Sequence, residues 1–285
     1  MHIAVIPNPD KPHALAYTAE ICRVLNESGG RPVMLEALRS LTAGMDADYV
    51  PDYDAMMTAC DAVVTVGGDG TIIQAAKHAI HYDRPLIGVN SGRLGFLAEL
   101  ESGEIHELKR LVTGDYTVTP RILLDITLRR QVGDVHCKAV NDVYISRGSL
   151  FHMIELDVEY RSQRVCQYRA DGLIFATPTG STAYSLSAGG PVIDPATQCI
   201  LMTPICPHTL VARPTVFGAD SDLTVHIRLR EGERINVAVD GEEVHQLQSE
   251  DCVTIRQAPQ QLKLIQLKPR SFYSVFTAKF SGKES

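Results

Sequence analysis

Ala62-Val63-Val64-Thr65-Val66-Gly67-Gly68-Asp69-Gly70-Thr71-Ile72-Ile73 is the stretch on which the fold turns. Val63 to Val66 is β-branched throughout and reads as a strand buried on both faces. It runs directly into a glycine turn. A helix follows, with Ile72, Ala76, Ala79 and Ile80 on one face, and Pro85 to Val89 is the next strand. Toward the N-terminus, Ile3 to Ile6 is a short apolar run closed by Pro7-Asn8-Pro9. Ala14, Thr18, Ile21, Cys22 and Leu25 then recur at helical spacing until Gly29-Gly30, and Arg31 to Glu36 reads as another strand. Strands joined by crossover helices make a parallel sheet covered on both faces, an α/β domain.

The texture changes between Leu111 and Pro120. Beyond it come short alternating runs: Leu123 to Leu128, Ala139 to Ile145, Met153 to Val158, Leu173 to Ala176, Leu223 to Leu229, Ile235 to Val239 and Val253 to Ile255. Turn residues separate them and helical periodicity fades, so a β-rich second domain is expected. Asp240-Gly241 reads as a hairpin turn. The tail Ser271 to Phe280 is too aromatic for a loose end and is expected to return to the first domain. The expected divisions are 1–115, 116–268 and 269–285.

A length of 285 residues agrees with two domains of ordinary size, and 45% hydrophobic with 21% charged residues is a globular balance. A formal charge of −7 argues against a general nucleic-acid binder but not against one small anion held locally. Seven cysteines are scattered, without CxxC or zinc spacing, and read as reduced thiols. Met1 to Pro7 has no basic leader and is a strand rather than a signal peptide, and no apolar run is long enough for a membrane span. A soluble cytoplasmic protein is expected.

Three clusters carry chemistry. A strand ending in Gly67-Gly68-Asp69-Gly70-Thr71 aims unsatisfied amides and the positive end of a helix dipole at one spot, which suits an anion. There is no Gly-Lys-Ser/Thr as in a Walker loop, and the dinucleotide fingerprint fails at Ile73, where its third glycine belongs. Asp69 repels phosphate unless it takes a proton or helps hold a cation; the alternative is that Asp69 and Thr71 cap the helix. The second cluster is Asp171 to Gly190, rich in hydroxyls between Thr177 and Ser187. It is either a surface for a polar ligand or an unremarkable loop, and it does not match the G-x-S-x-G of serine hydrolases. The third is Asn141-Asp142, two residues disfavoured in a strand; a hairpin turn would also explain them.

Together and in this order the clusters resemble the NAD kinase family. Gly67 to Thr71, Asn90-Ser91-Gly92-Arg93-Leu94-Gly95-Phe96, Ala139 to Asp142 and Asp171 to Pro191 match its motifs, the last almost throughout. The resemblance implies a Rossmann-like, phosphofructokinase-like N-terminal domain with a β-rich C-terminal one. It implies transfer of the terminal phosphate of ATP to the 2′-hydroxyl of the adenosine ribose of NAD, giving NADP. Asp69 would be the base. Gly67, Gly68, Gly70 and Thr71 would cradle the phosphates of ATP, with Asp69 and Gly70 also touching NAD. Asn141 and Asp142 would hold the ribose and diphosphate side of NAD. Phe96, Thr179, Thr182, Ala183, Tyr184 and Ser187 would form the adenosine pocket, with further NAD contacts from Ser185, Leu186, His152, Arg169 and Gln248. Asp171 would face the nicotinamide from a neighbouring subunit, implying a homodimer or homotetramer. A divalent cation such as Mg2+ would arrive with ATP rather than on a protein metal site, and neither nucleic acid nor membrane is implied as a partner. Asn-Asp stands where many members have Asn-Glu, which shortens one reach by a methylene. The competing readings are a lipid kinase sharing the glycine turn, which predicts an apolar acceptor pocket, and a non-catalytic dinucleotide sensor, which has no need of Asp69.

Overall fold

The computed structural model describes residues 1–92, 95–147, 153–209, 211–229, 233–269 and 271–280. The chain forms two units, residues 1–120 with the segment from Leu262 onward, and Arg121–Gln261. The first division therefore falls just past the change of texture near residue 115, and the second falls before residue 268. Both lie inside long strands, where no loop punctuates the sequence.

In the first unit, β1 (His2–Pro7), β2 (Arg31–Leu35), β3 (Asp48–Val50), β4 (Ala62–Gly67) and β5 (Leu86–Asn90) form a parallel sheet. Its order is β3-β2-β1-β4-β5, and Leu264 of a late strand pairs with Leu86 beyond β5. Helices α1 (Ala14–Glu27), α2 (Tyr53–Ala59), α3 (Asp69–His81) and α4 (Lys109–Thr113) supply the crossovers and cover. Every residue of β4 is buried, as a doubly covered central strand requires. α1 buries Ala14, Thr18, Ile21, Cys22 and Leu25 on one face, against Ile3, Val5, Val64 and Val66 of the sheet. Truncating Leu25, which is wholly buried, to alanine is expected to cost about 2–5 kcal/mol.

The described residues of the second unit are mainly strands, with a 3₁₀ turn and a short helix between two of them. β6 (Thr117–Arg129), β7 (Val135–Ala139), β9 (Ile154–Tyr160), β10 (Gln163–Ala170), β14 (Leu223–Arg228) and β17 (Cys252–Gln266) pair in one sheet. The other runs β13-β12-β11-β8-β15-β16, with β8 (Asp142–Arg147), β11 (Gly172–Ala176), β12 (Cys199–Ile205), β13 (Thr215–Gly218), β15 (Ile235–Val239) and β16 (Glu243–Leu247). Alternate residues of both sheets meet in one core that includes Ile126, Leu156, Val225 and Val253 from the first, and Val143, Ile145, Phe175 and Val237 from the second. The short helix α5 (Tyr184–Ser187) follows a 3₁₀ turn, Thr179–Thr182, after β11.

The aromatic tail forms α6 (Phe272–Phe280). Within the first unit, Phe272 lies 5.9 Å from Phe96 and the Lys279 ammonium stands 4.3 Å over the Phe96 ring. The chain leading to it is tied down by buried Glu99, which accepts the amides of Leu267 and Lys268 at 3.0 and 3.2 Å. No described helix is long and apolar enough to cross a membrane.

Candidate active site

In the first unit, β1, β4 and β5 end side by side, so the carboxyl edge of the parallel sheet presents Asn8, the glycine turn and Asn90 together. The Asn8 amide donates to the Val66 carbonyl and the Ser91 amide to the Gly67 carbonyl, both at 2.9 Å. Gly68 precedes α3 without a side-chain cap, and Asp69 is the first helical residue. Its carboxylate does not cap the helix. Oδ2 accepts the Phe96 amide at 2.8 Å and Oδ1 the Leu97 amide at 3.0 Å. A Cβ on Gly95 would overlap that carboxylate, so glycine there lets the loop close on it. Each carboxylate oxygen keeps a lone pair beyond its amide partner, so Asp69 is both fixed in direction and able to accept a further proton.

The other members of the turn divide. Gly68 and Gly70 have open space where a side chain would stand, and the Asp69 and Gly70 amides precede the first helical bonds, which run from the Thr71 and Ile72 amides to the Gly68 carbonyl at 3.0 and 3.2 Å. Gly67 is packed on Thr71, and the buried Thr71 hydroxyl accepts a hydrogen bond from the Asn8 side chain at 3.3 Å. Thr71 therefore braces the turn from within.

In the second unit, Asn141 and Asp142 sit where the chain leaves β7 in one sheet and enters β8 in the other, not in a hairpin. With Tyr144, Ala183, Tyr184, Asp240 and Gly241 they line a pocket of about 380 Å³. Asp142 is buried and bonds the Tyr184 amide. Burial, and then the neighbouring Asp240 carboxylate, push its carboxyl up to about 7, while the Tyr184 amide pulls it back. The Tyr184 ring stands edge-on to Tyr144 at 5.2 Å and is 42% exposed, so one face is open to a ligand.

The hydroxyl-rich segment is mostly internal. Thr177 Oγ1 donates to the Val140 carbonyl at 2.7 Å, Ser181 Oγ donates to the Pro178 carbonyl at 2.7 Å, and Thr182 Oγ1 donates to the Thr179 carbonyl at 3.2 Å. Ser185, expected as an NAD contact, is wholly buried with its hydroxyl bonded to Thr203 at 2.7 Å. Thr179 is also buried, Leu186 is partly covered, and Ser187 is exposed. The hydroxyls of Thr177, Ser181, Thr182 and Ser185 are thus engaged within the protein, and of this segment Ala183 and Tyr184 line the pocket.

Of the remaining expected residues, Phe96 packs against the tail helix in the first unit. Arg169 lines a separate hollow of about 430 Å³ with His208, Tyr168 and Glu155, and its guanidinium lies 3.5 Å from Glu155. Asp171 is paired with Arg147 at 3.2 Å. Gln248 is exposed and its amide bonds Asp251. His152 lies outside the described residues. Sequence reasoning missed Tyr144, and it missed what Asp240 does beyond making a turn. The dipeptide Asp240-Gly241 signalled the turn, but its partner lies about a hundred residues away in sequence. Among the described residues, no group of three or more His, Cys, Asp or Glu is placed to hold a metal ion.

Residues 3–116 match the family model described as the ATP-NAD kinase N-terminal domain, and residues 140–267 match that of the ATP-NAD kinase C-terminal domain. A protein of Symbiobacterium thermophilum named NAD kinase is 40% identical over 281 residues, covering 98% of each chain. One of Geobacter sulfurreducens with the same name is 36% identical over 285 residues, covering 99% of each. Among solved structures, yeast NADH kinase complexed with NADH superposes with a TM-score of 0.90 at 23% identity, over 100% of this chain and 88% of that one. An NAD kinase from Archaeoglobus fulgidus in complex with ATP gives 0.77 at 23% identity, over 98% of both. These two likenesses bear on the fold.

Proposed function

The chain belongs to the NAD kinase family, and from that premise we propose how its residues divide the work of moving the terminal phosphate of ATP to the 2′-hydroxyl of the adenosine ribose of NAD. The observation that carries the reading is the Asp69 carboxylate, fixed by the Phe96 and Leu97 amides at the carboxyl edge of a parallel sheet. Asp69 takes the proton of the acceptor hydroxyl. That oxygen bonds to the γ-phosphorus as the bond to the bridging oxygen breaks, and ADP and NADP are formed. Phosphoryl transfer asks chiefly for positioning and charge neutralisation, so a base held in one direction is the right contribution from a side chain.

Gly68 and Gly70, open and without side chains, allow the phosphates of ATP to approach the first-turn amides of α3. Gly67 and Thr71 keep that turn in shape. A divalent cation arriving with the phosphates of ATP would supply charge neutralisation. Asn141, Asp142, Ala183 and Tyr184 receive NAD, whose hydroxyls and ring suit the amide, carboxyl and aromatic groups of the pocket. That polarity speaks against a lipid acceptor. Phe96, Arg169 and Gln248 remain proposed NAD contacts, as does Asp171 toward the nicotinamide of a neighbouring subunit in a homo-oligomer. Thr179, Thr182, Ser185, Leu186 and Ser187 also remain proposed NAD contacts, although the Thr182 and Ser185 hydroxyls bond within the protein. Seven cysteines outside any disulfide support a reducing compartment, and the reading puts the enzyme in the cytoplasm. The test incubates the purified protein with ATP, Mg2+ and NAD and measures NADP. Failure to form NADP, with phosphate passing to a diacylglycerol or sphingoid instead, overturns the reading.

A further inference from the structure

Asp240 stands at the tip of the β15–β16 hairpin, in the left-handed region with φ of 49°, followed by Gly241 at 74°. A turn of this kind explains an Asp-Gly pair, but Asn-Gly would make it equally well and without charge. The charge is not free of cost, because it lies beside the buried Asp142 carboxyl and opposes its ionisation. Something must favour a carboxylate here.

Three consecutive amides supply the reason. Val140 N–H donates to Asp240 Oδ2 at 2.9 Å, and the N–H groups of Asn141 and Asp142 both donate to Oδ1, at 2.8 and 3.1 Å. The Asp240 amide returns a bond to the Asp142 carbonyl at 2.9 Å. On the other side, Thr177 takes the two carbonyls that are left: its hydroxyl donates to that of Val140 at 2.7 Å and its amide to that of Asn141 at 2.8 Å. Every backbone donor and acceptor from Val140 to Asp142 is thereby occupied by Asp240 or Thr177. No backbone N–H at this crossing between sheets is left to offer a ligand, and donation to one falls to the side chains of Asn141 and Asp142.

We infer that Asp240 is the positioning residue of the acceptor pocket: its carboxylate gathers the Val140, Asn141 and Asp142 amides and so sets the direction in which the Asn141 and Asp142 side chains meet NAD. The inference rests on the proposed function, because it takes the pocket to be the NAD site. An asparagine at 240 preserves the turn but can offer only one acceptor oxygen, and its amide group must face one of the three N–H groups. A residue needed only for the turn tolerates that change; an anchor for three amides does not.

The experiment compares Asp240→Asn with the wild-type protein, varying NAD and ATP separately and following NADP formation, with melting temperature and amide hydrogen exchange alongside. The expected result is a KM for NAD raised at least ~10-fold, with the KM for ATP within about twofold of wild type. An unchanged KM for NAD, or equal rises for both substrates, overturns the inference while leaving wild-type NADP formation, and hence the proposed function, intact. If the variant does not fold, exchange in the wild-type protein decides. Slow exchange at Val140, Asn141 and Asp142 supports the anchor, and fast exchange at these three amides refutes it. Absence of NADP formation by the wild-type protein removes the reading beneath it instead.

Discussion

Asp69 and Asp240 use the same device in opposite senses. Each carboxylate accepts backbone amides from a run of consecutive residues: Phe96 and Leu97 for Asp69, Val140 to Asp142 for Asp240. In the proposed reading, the amides around Asp69 belong to a supporting loop and the carboxylate is the working group. Around Asp240 the amides belong to the recognition dipeptide and the carboxylate is the support. An aspartate at a turn is therefore assigned by asking which side of the hydrogen bonds faces the ligand, not by the residue type.

The sharpest way to break that contrast is Asp69→Asn. Loss of the base should lower kcat by about 10²–10⁴-fold with NAD binding retained, measured by steady-state NADP formation and calorimetric titration. Near-wild-type turnover would make Asp69 a support like Asp240. Next come two glycines whose missing side chains matter for different reasons. Gly95→Ala pushes the Asp69 carboxylate off its amide partners and should reduce kcat roughly tenfold or more while the melting temperature holds. Gly180→Ala drives a methyl into the backbone of Asn141, so its first effect is a loss of stability of about 1–3 kcal/mol in denaturant titration. A reversed pattern would collapse the distinction between a presented carboxylate and a braced backbone.

A smaller effect is expected at the pocket wall. Asn141→Ala and Tyr184→Ala should each raise the KM for NAD about 5- to 20-fold, through loss of a hydrogen bond or a stacking face, and leave the KM for ATP unchanged. The gentlest test concerns stability against pH. With its carboxyl raised from the ordinary range to about 7, folded Asp142 holds a proton that the unfolded chain has released between roughly pH 4 and pH 7. The folded state then binds more protons than the unfolded one, so stability falls as pH rises through that window. Asp142→Asn removes this slope, and its melting temperature should gain on wild type from about pH 4 to about pH 7 and then keep a constant lead.

Much of the first unit was legible because its elements follow simple periods. The β-branched run became β4, the helical spacing after it α3, and Ile3 to Ile6 and Arg31 to Glu36 became β1 and β2. β10 went unread because its outward residues are charged and polar and its pattern is mostly exposed. β12 went unread because Pro204 interrupts its apolar run. Ala139 to Ile145 looked like one strand, yet the chain changes sheets within it. At the site, Gly-Gly-Asp-Gly announced itself through composition alone. The work of Thr177, Ser181 and Ser185 did not, since a hydroxyl facing a carbonyl and one facing a ligand are spelled alike. Asp240 was visible as a turn and invisible as an anchor, because its partners come from residues 140–142.

The first unit is also split in sequence: its last strand segment and its tail helix follow all of Arg121–Gln261. During synthesis, the ribosome delivers the glycine turn and Asp69 early, then the whole second unit, and only afterwards the residues that flank β5 and satisfy Glu99. The second unit is continuous and can fold as it emerges, whereas in the first only the Asn90 end of β5 is covered locally, by Glu99 and Leu100, and its Leu86 end waits for Leu264. The unit that carries the glycine turn is thus started before the second unit and closed after it, so its sheet is completed only once the segment from Leu262 onward has emerged.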